Sequence, residues 1–166
     1  MTQHGAAVRV RYKVFGDRTD GTYLSVDSSH AHINMPSALM WARGLEDRPA
    51  TVRFQAPAGA AWRVASQLFP TNDALTFTAP NLQYLMDSPV EWSAFTTRQF
   101  TAGDGTRTAT FRLALHHAGT AADADAYARD LEAIVGEAVG VFGALPAFES
   151  PAYTFLADFL PASGSD

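Results

Sequence analysis

Ser150-Pro151-Ala152-Tyr153-Thr154-Phe155-Leu156-Ala157-Asp158-Phe159-Leu160-Pro161 is the stretch on which the fold turns. It reads as a buried strand over 151–160, followed by a short polar tail, Ser163-Gly164-Ser165-Asp166. The segment before it carries a helix. Thr120 with Asp123 three residues later outlines an N-cap with an acidic first turn. Tyr127, Leu131, Ile134, Val135, Ala138 and Phe142 then recur at spacings of three and four, which marks one apolar helical face. The spacing predicts a helix from about 121 to 142, stopped by Gly143 with Pro146 beyond it. At 1.5 Å per residue that is roughly 33 Å. A long helix followed by one apolar strand is an unfinished motif, because the strand needs sheet neighbours and the sequence offers none after it.

Upstream, residues 6–112 have a different texture: short alternating runs rich in β-branched and aromatic residues, separated by Gly, Pro, Asn or Asp clusters. Val8, Val10, Tyr12 and Val14 alternate with Arg9, Arg11 and Lys13, the pattern of a half-buried antiparallel strand with a basic solvated face. Further strands are expected at 22–27, 29–34, 37–42, 50–56, 62–69, 74–78, 91–100 and 107–115. Their spacing of 8–12 residues points to a sandwich rather than to βαβ units. Ala79–Met86 interrupts them as one or two helical turns with Pro80 near the start, ended by Asp87-Ser88-Pro89. The fold class expected is mainly β with an α+β C-terminal part: an antiparallel sandwich-like domain over 1–115, then a long helix and one strand over 119–166.

The chain has 166 residues, 47% hydrophobic and 17% charged, which is ample material for a core. A net charge of -5 with scattered basic residues argues against a nucleic-acid partner. The absence of cysteine removes disulfides, thiolate nucleophiles and thiolate metal sites. The first twenty residues lack the pattern of a signal peptide, and no apolar run approaches the roughly 20 residues that span a bilayer, so no membrane partner is expected and the compartment stays open.

Histidine is the residue to follow for metal or acid–base chemistry. His30 and His32 lie two apart in an expected strand, so they share a face and could share an ion. Nothing local marks a third ligand, and the plainer reading is a pair of half-exposed strand histidines. His116 and His117 should point to opposite sides of their strand, and His4 sits near the N-terminus. The signature His-Glu-x-x-His, which puts two imidazoles and a glutamate on one helical face, does not occur. Asp87, Ser88 and Glu91 invite a hydrolase reading, but Ser88 needs a histidine within reach, and Asp87 is most simply a turn acceptor. No catalytic, cofactor-binding or metal residue is therefore expected in this chain. Gly136 and Gly140 suggest close approach of the helix backbone to a neighbour. Trp41, Trp62 and Trp92 fall in three expected strands, as core residues or as an aromatic platform for a sugar.

Several of these stretches share a resemblance. Val8–Phe15, Asp27-Ser28-Ser29-His30-Ala31-His32-Ile33-Asn34, Pro80–Glu91 with its Asp87-Ser88-Pro89-Val90-Glu91, and Phe142–Pro161 resemble, in order and spacing, the glycyl-aminopeptidase family of zinc metallopeptidases (metallopeptidase family sixty-one). The resemblance implies a β-rich N-terminal domain leading into the opening helix and strand of a thermolysin-like catalytic domain. Zinc, the catalytic glutamate and the peptide substrate would then belong to a longer parent, none of whose catalytic residues has a counterpart here. The expected partner is the remainder of that catalytic domain, with homodimerisation through strand 151–160 as a further expectation. The alternative is a free-standing β-sandwich module that binds carbohydrate or protein.

Overall fold

The structure, a computed structural model, describes residues 7–18 and 22–159. Its strands are β1 (Leu24–Val26), β2 (His30–Ile33), β3 (Ala50–Arg53), β4 (Arg63–Ser66), β5 (Phe69–Pro70), β6 (Thr76–Ala79), β7 (Val90–Ser93), β8 (Thr96–Gly103), β9 (Thr108–His117) and β10 (Tyr153–Phe159). The helices are α1 (Met35–Ala38), α2 (Leu82–Met86) and α3 (Ala121–Phe142). The strands form three sheets, ordered β1-β2-β7-β4, β3-β6-β5 and β10-β9-β8. The result is mostly β with antiparallel sheets, one long helix and a C-terminal strand, as the sequence pattern indicates.

Side-chain alternation sorts these sheets into layers. In the sheet β1-β2-β7-β4, Ile33 opposes Val90 and Val64 opposes Trp92, so one face is apolar. That face packs with Phe54 and Phe77 of the β3-β6-β5 layer, together with Met35 of α1 and Leu85 of α2. The opposite face is polar: His32 opposes Glu91, His30 opposes Ser93, and Ser25 opposes His32. The third sheet lies against this polar face, joined to it by an apolar contact among Ala65, Phe95, Ala114 and Leu156. On its far side, α3 covers Leu113 and Leu115 with Ala124 and Leu131.

Local signals explain the best-defined element. Thr120 and Asp123 form a full capping box, and Gly143 closes α3 in the left-handed region at φ 76° while its N–H donates to the Val139 carbonyl. Strand β10 then returns parallel to β9 in a seven-residue register from Tyr153↔Phe111 to Phe159↔His117. The β9-α3-β10 segment is thus a βαβ unit, the α+β part of the chain, and it joins the same sheet as β8 and β9. The strand's missing neighbour comes from earlier in the chain.

Three expectations need correction. Residues 8–14 form no strand, and Val8 is 86% exposed. Alternation specifies a buried face only where a neighbouring strand supplies a ladder, and among the described residues none lies alongside. Tyr12 is held instead through its hydroxyl, which donates to the Ala38 carbonyl at 2.7 Å and accepts from the Met40 N–H at 3.2 Å. The strand expected at 37–42 does not form: α1 takes residues 37 and 38, with Pro36 in its first turn supplying the φ a helix needs and no N–H to leave unpaired, and 39–42 belong to neither helix nor strand. The strand expected at 91–100 splits into β7 and β8, with buried Phe95 at the corner where the chain crosses between sheets. Arg63 pins that corner by donating to the Phe95 carbonyl and lying 4.4 Å over its ring.

Candidate functional site: a buried histidine–carboxylate seam

Two cross-strand pairs meet between the polar face of the first sheet and the inner face of the third. His32 and Glu91 are register partners on β2 and β7. His116 and Asp158 are register partners on β9 and β10. His30, one strand step from His32, stacks on His116 with ring centroids 4.5 Å apart. His30 is 2% exposed and Glu91 1%, so water barely reaches the centre.

The imidazole Nδ1 atoms converge on the carboxylates. His30 Nδ1 lies 3.4 Å from Asp158 Oδ2 and 3.6 Å from Glu91 Oε1. His116 Nδ1 lies 3.2 Å from Asp158 Oδ1 and 3.9 Å from Glu91 Oε1. His32 Nδ1 approaches the other Glu91 oxygen at 3.7 Å. On its outer side, His30 Nε2 faces the Ser25 hydroxyl at 3.4 Å and Asp27 Oδ2 at 3.9 Å. Asp27 is itself fixed, its Oδ1 accepting from the Ser29 N–H, the Ser29 hydroxyl and the His30 N–H.

Charge dominates this environment. Burial pushes the Glu91 carboxyl up, but polar contacts from His30, His32 and Ser93 and the charge on His30 outweigh it and hold the group at about 2. The two imidazole Nδ1 atoms stand 3.6–3.7 Å from the carboxylate oxygens, beyond ordinary hydrogen-bond length. Burial pulls the His30 imidazole down, while Glu91 first, then Asp158 and Asp27, raise it above its ordinary value. Glu91 is therefore ionised.

The structure distributes the other sequence candidates as follows. His30 and His32 do share a face, and both address Glu91. His116 and His117 do part: His117 turns away, with Nε2 3.3 Å from the Thr96 hydroxyl and Nδ1 accepting from the Gly119 N–H. His4 lies outside the described residues. Ser88 is buried, and its hydroxyl donates to the Tyr84 carbonyl at 2.7 Å, with no histidine bonded to it among the described residues. Asp87 caps α2 and takes a hydrogen bond from the Gln83 side-chain amide. Arg9, Arg11 and Lys13 are exposed. Trp62 and Trp92 pack edge to face and Trp92 also contacts Phe54, whereas Trp41 is 56% exposed and stands apart from both aromatic contacts, so the three form no common platform. Gly136 and Gly140 have nothing within 4 Å of where a Cβ would sit, which overturns the expected close approach.

Sequence reasoning missed Glu91, His116 and Asp158 as one group. Glu91 carried a usable signal, a lone carboxylate between Val90 and Trp92 in a strand. The other two meet only through the parallel register of β9 and β10, which no local pattern encodes.

This architecture is a layered β-sandwich whose third sheet is completed by a single helix crossover. The chain belongs to the Peptidase M61 N-terminal domain family, whose model matches residues 1–94 of the 166. No curated protein matches the sequence. Among solved structures, an aminopeptidase N family protein from Idiomarina loihiensis superposes with a TM-score of 0.69 at 22% identity. The match covers 87% of this chain and 24% of that one, so this chain spans about a quarter of its length. No helix among the described residues is long and apolar enough to cross a membrane.

Proposed function

We propose that this chain is the non-catalytic N-terminal portion of a zinc-dependent aminopeptidase, and that it walls the cleft in which the parent acts on peptide amino termini. The observation that carries the reading is the family match over residues 1–94. The zinc signature His-Glu-x-x-His is absent from the sequence, so the residues present do not fit the family's catalytic metal.

The surface supports a larger partner. Ile134, Val141 and Phe142 of α3 are exposed, Phe142 by 81%. Beside them an apolar cavity of about 470 Å³ lies between the helix and β9-β10, lined by Val135, Val139, Phe142, Leu145, Tyr153 and Phe155. An apolar surface of this kind beside a helix end is the place for the remainder of a catalytic domain to pack. The proposed substrate is a peptide with a free amino terminus, handled by the parent alone.

The test compares this chain with the product of its whole genomic reading frame on glycyl and alanyl anilide substrates. The expected result is no release by this chain and chelator-sensitive release by the longer product. Anilide hydrolysis by the isolated chain, or a reading frame encoding no zinc-binding helix, would overturn the proposal.

A further inference from the structure

We propose that His30, His116, Asp158 and Glu91 form a binding site for one divalent transition metal of the zinc class, which staples the two sheets together. The inference does not rest on the aminopeptidase reading. His30, His116 and Asp158 present donor atoms that all lie within 4.8 Å of one another. The fourth donor, Glu91 Oε1, lies 3.6 Å and 3.9 Å from the two Nδ1 atoms.

Three observations favour an ion over plain ion pairing. The first is distance. Charge-assisted N–H···O bonds close to about 2.7–2.9 Å, and these four separations run from 3.2 to 3.9 Å. Metal–ligand bonds of about 2.0–2.2 Å put neighbouring donors of a tetrahedral ion roughly 3.3–3.6 Å apart. His30 Nδ1 and His116 Nδ1 stand 3.6 and 3.9 Å from the single oxygen Glu91 Oε1, and 3.4 and 3.2 Å from different oxygens of Asp158, of which one would be the ligand. The second is satisfaction. His30 Nδ1, His116 Nδ1, both Glu91 oxygens and Asp158 Oδ1 are buried with no hydrogen-bond partner, and all belong to the same cluster. Groups of this kind rarely stay unpaired in a folded protein.

The third is the surrounding shell. A metal-bound imidazole usually directs its other ring nitrogen at a carboxylate or hydroxyl, which fixes the tautomer. His30 Nε2 does so toward Ser25 and Asp27, and three hydrogen bonds from Ser29 and His30 hold Asp27 in place. His32 stands behind the second Glu91 oxygen in the same supporting role.

The donor set selects the metal. Two imidazoles with two carboxylates suit zinc and its neighbours, whereas calcium and magnesium prefer all-oxygen shells. Two carboxylates and a dication also sum to neutrality, removing the penalty of enclosing two negative groups. Because the four donors come from β2, β7, β9 and β10, the ion would bridge both sheets.

The test uses the full chain without an affinity tag, stripped with EDTA and then titrated with zinc chloride or cobalt chloride. We expect one equivalent of zinc to survive gel filtration, a rise in Tm, and visible d–d absorption typical of tetrahedral cobalt. His116→Gln and the near-isosteric Asp158→Asn should each weaken zinc binding by more than roughly tenfold, the loss that even outer-shell changes cause. His117→Gln, on the opposite side of the same strand, should bind as wild type. Far-UV circular dichroism selects variants that fold, and Asp158→Asn decides the matter if His116→Gln does not. Failure to retain metal, or equal retention by wild type and Asp158→Asn, would overturn the site.

Discussion

The Asp104 carboxylate accepts the backbone N–H of Leu145 at 2.9 Å, tying the β8-β9 hairpin to the loop that follows α3. Its other oxygen accepts from the Thr106 N–H, the Thr106 hydroxyl and the Arg107 N–H, and Arg107 Nε faces the carboxylate at 3.6 Å. Hydrogen bonds from Thr106, then Leu145 and Arg107, hold the Asp104 carboxyl far below its ordinary 3.8. A carboxyl depressed in the folded state stabilises above its unfolded value and loses that contribution as pH falls toward the folded one. Asp104→Asn should therefore lower Tm at neutral pH, and its gap to wild type should close steadily below about pH 3.8. Thermal melts followed by circular dichroism across that range measure the gap; one that stays constant with pH would contradict the account.

Gly136 and Gly140 lie on the exposed side of α3 with open space around them. Alanine at an exposed helix interior is better than glycine by about 0.8–1.0 kcal/mol. Gly136→Ala and Gly140→Ala should each raise the unfolding free energy of this chain by roughly that amount, measured by urea denaturation. A loss of stability in either would mean that the helix surface is not free.

Leu113 is fully buried between β9 and α3, whereas Val8 projects into solvent. Leu113→Ala should cost about 2–5 kcal/mol through lost burial and the cavity left behind. Val8→Ala should change stability by no more than about 0.5 kcal/mol. A large effect at Val8 would restore the strand that its alternation suggests.

Strand β10 occupies the edge of its sheet, with Tyr153 and Phe159 exposed. The Gln67 side chain already accepts the Thr154 N–H at 2.6 Å and so blunts part of that edge. The remainder is expected to pair weakly with a second copy at high concentration. Sedimentation velocity should show a concentration-dependent dimer that Phe159→Lys dissolves; a wild-type monomer at every concentration would count against edge pairing.

Elements specified by short-range chemistry were legible from the sequence. Helix α3 runs over 121–142 because Thr120, Asp123 and Gly143 write both its ends locally. His30 and His32 share a face because alternation is a property of any strand. The split between β7 and β8 was not legible, since no Gly or Pro marks residues 94–95 and the crossing is fixed by Phe95 finding Ala65 and Ala114. The same holds for the seam: Asp158 meets His116 only once β10 has chosen β9, and that choice is made by the crossover helix.

The seam thus has a temporal order. On the ribosome, His30, His32, Glu91 and His116 all emerge before the helix that brings the final strand home. Until that strand docks, the nascent sheet carries a charged, half-built face toward water. Asp158 is the last piece of the seam to arrive, so the seam is complete only once β10 has followed α3 and docked beside β9, bringing one carboxylate to two imidazoles.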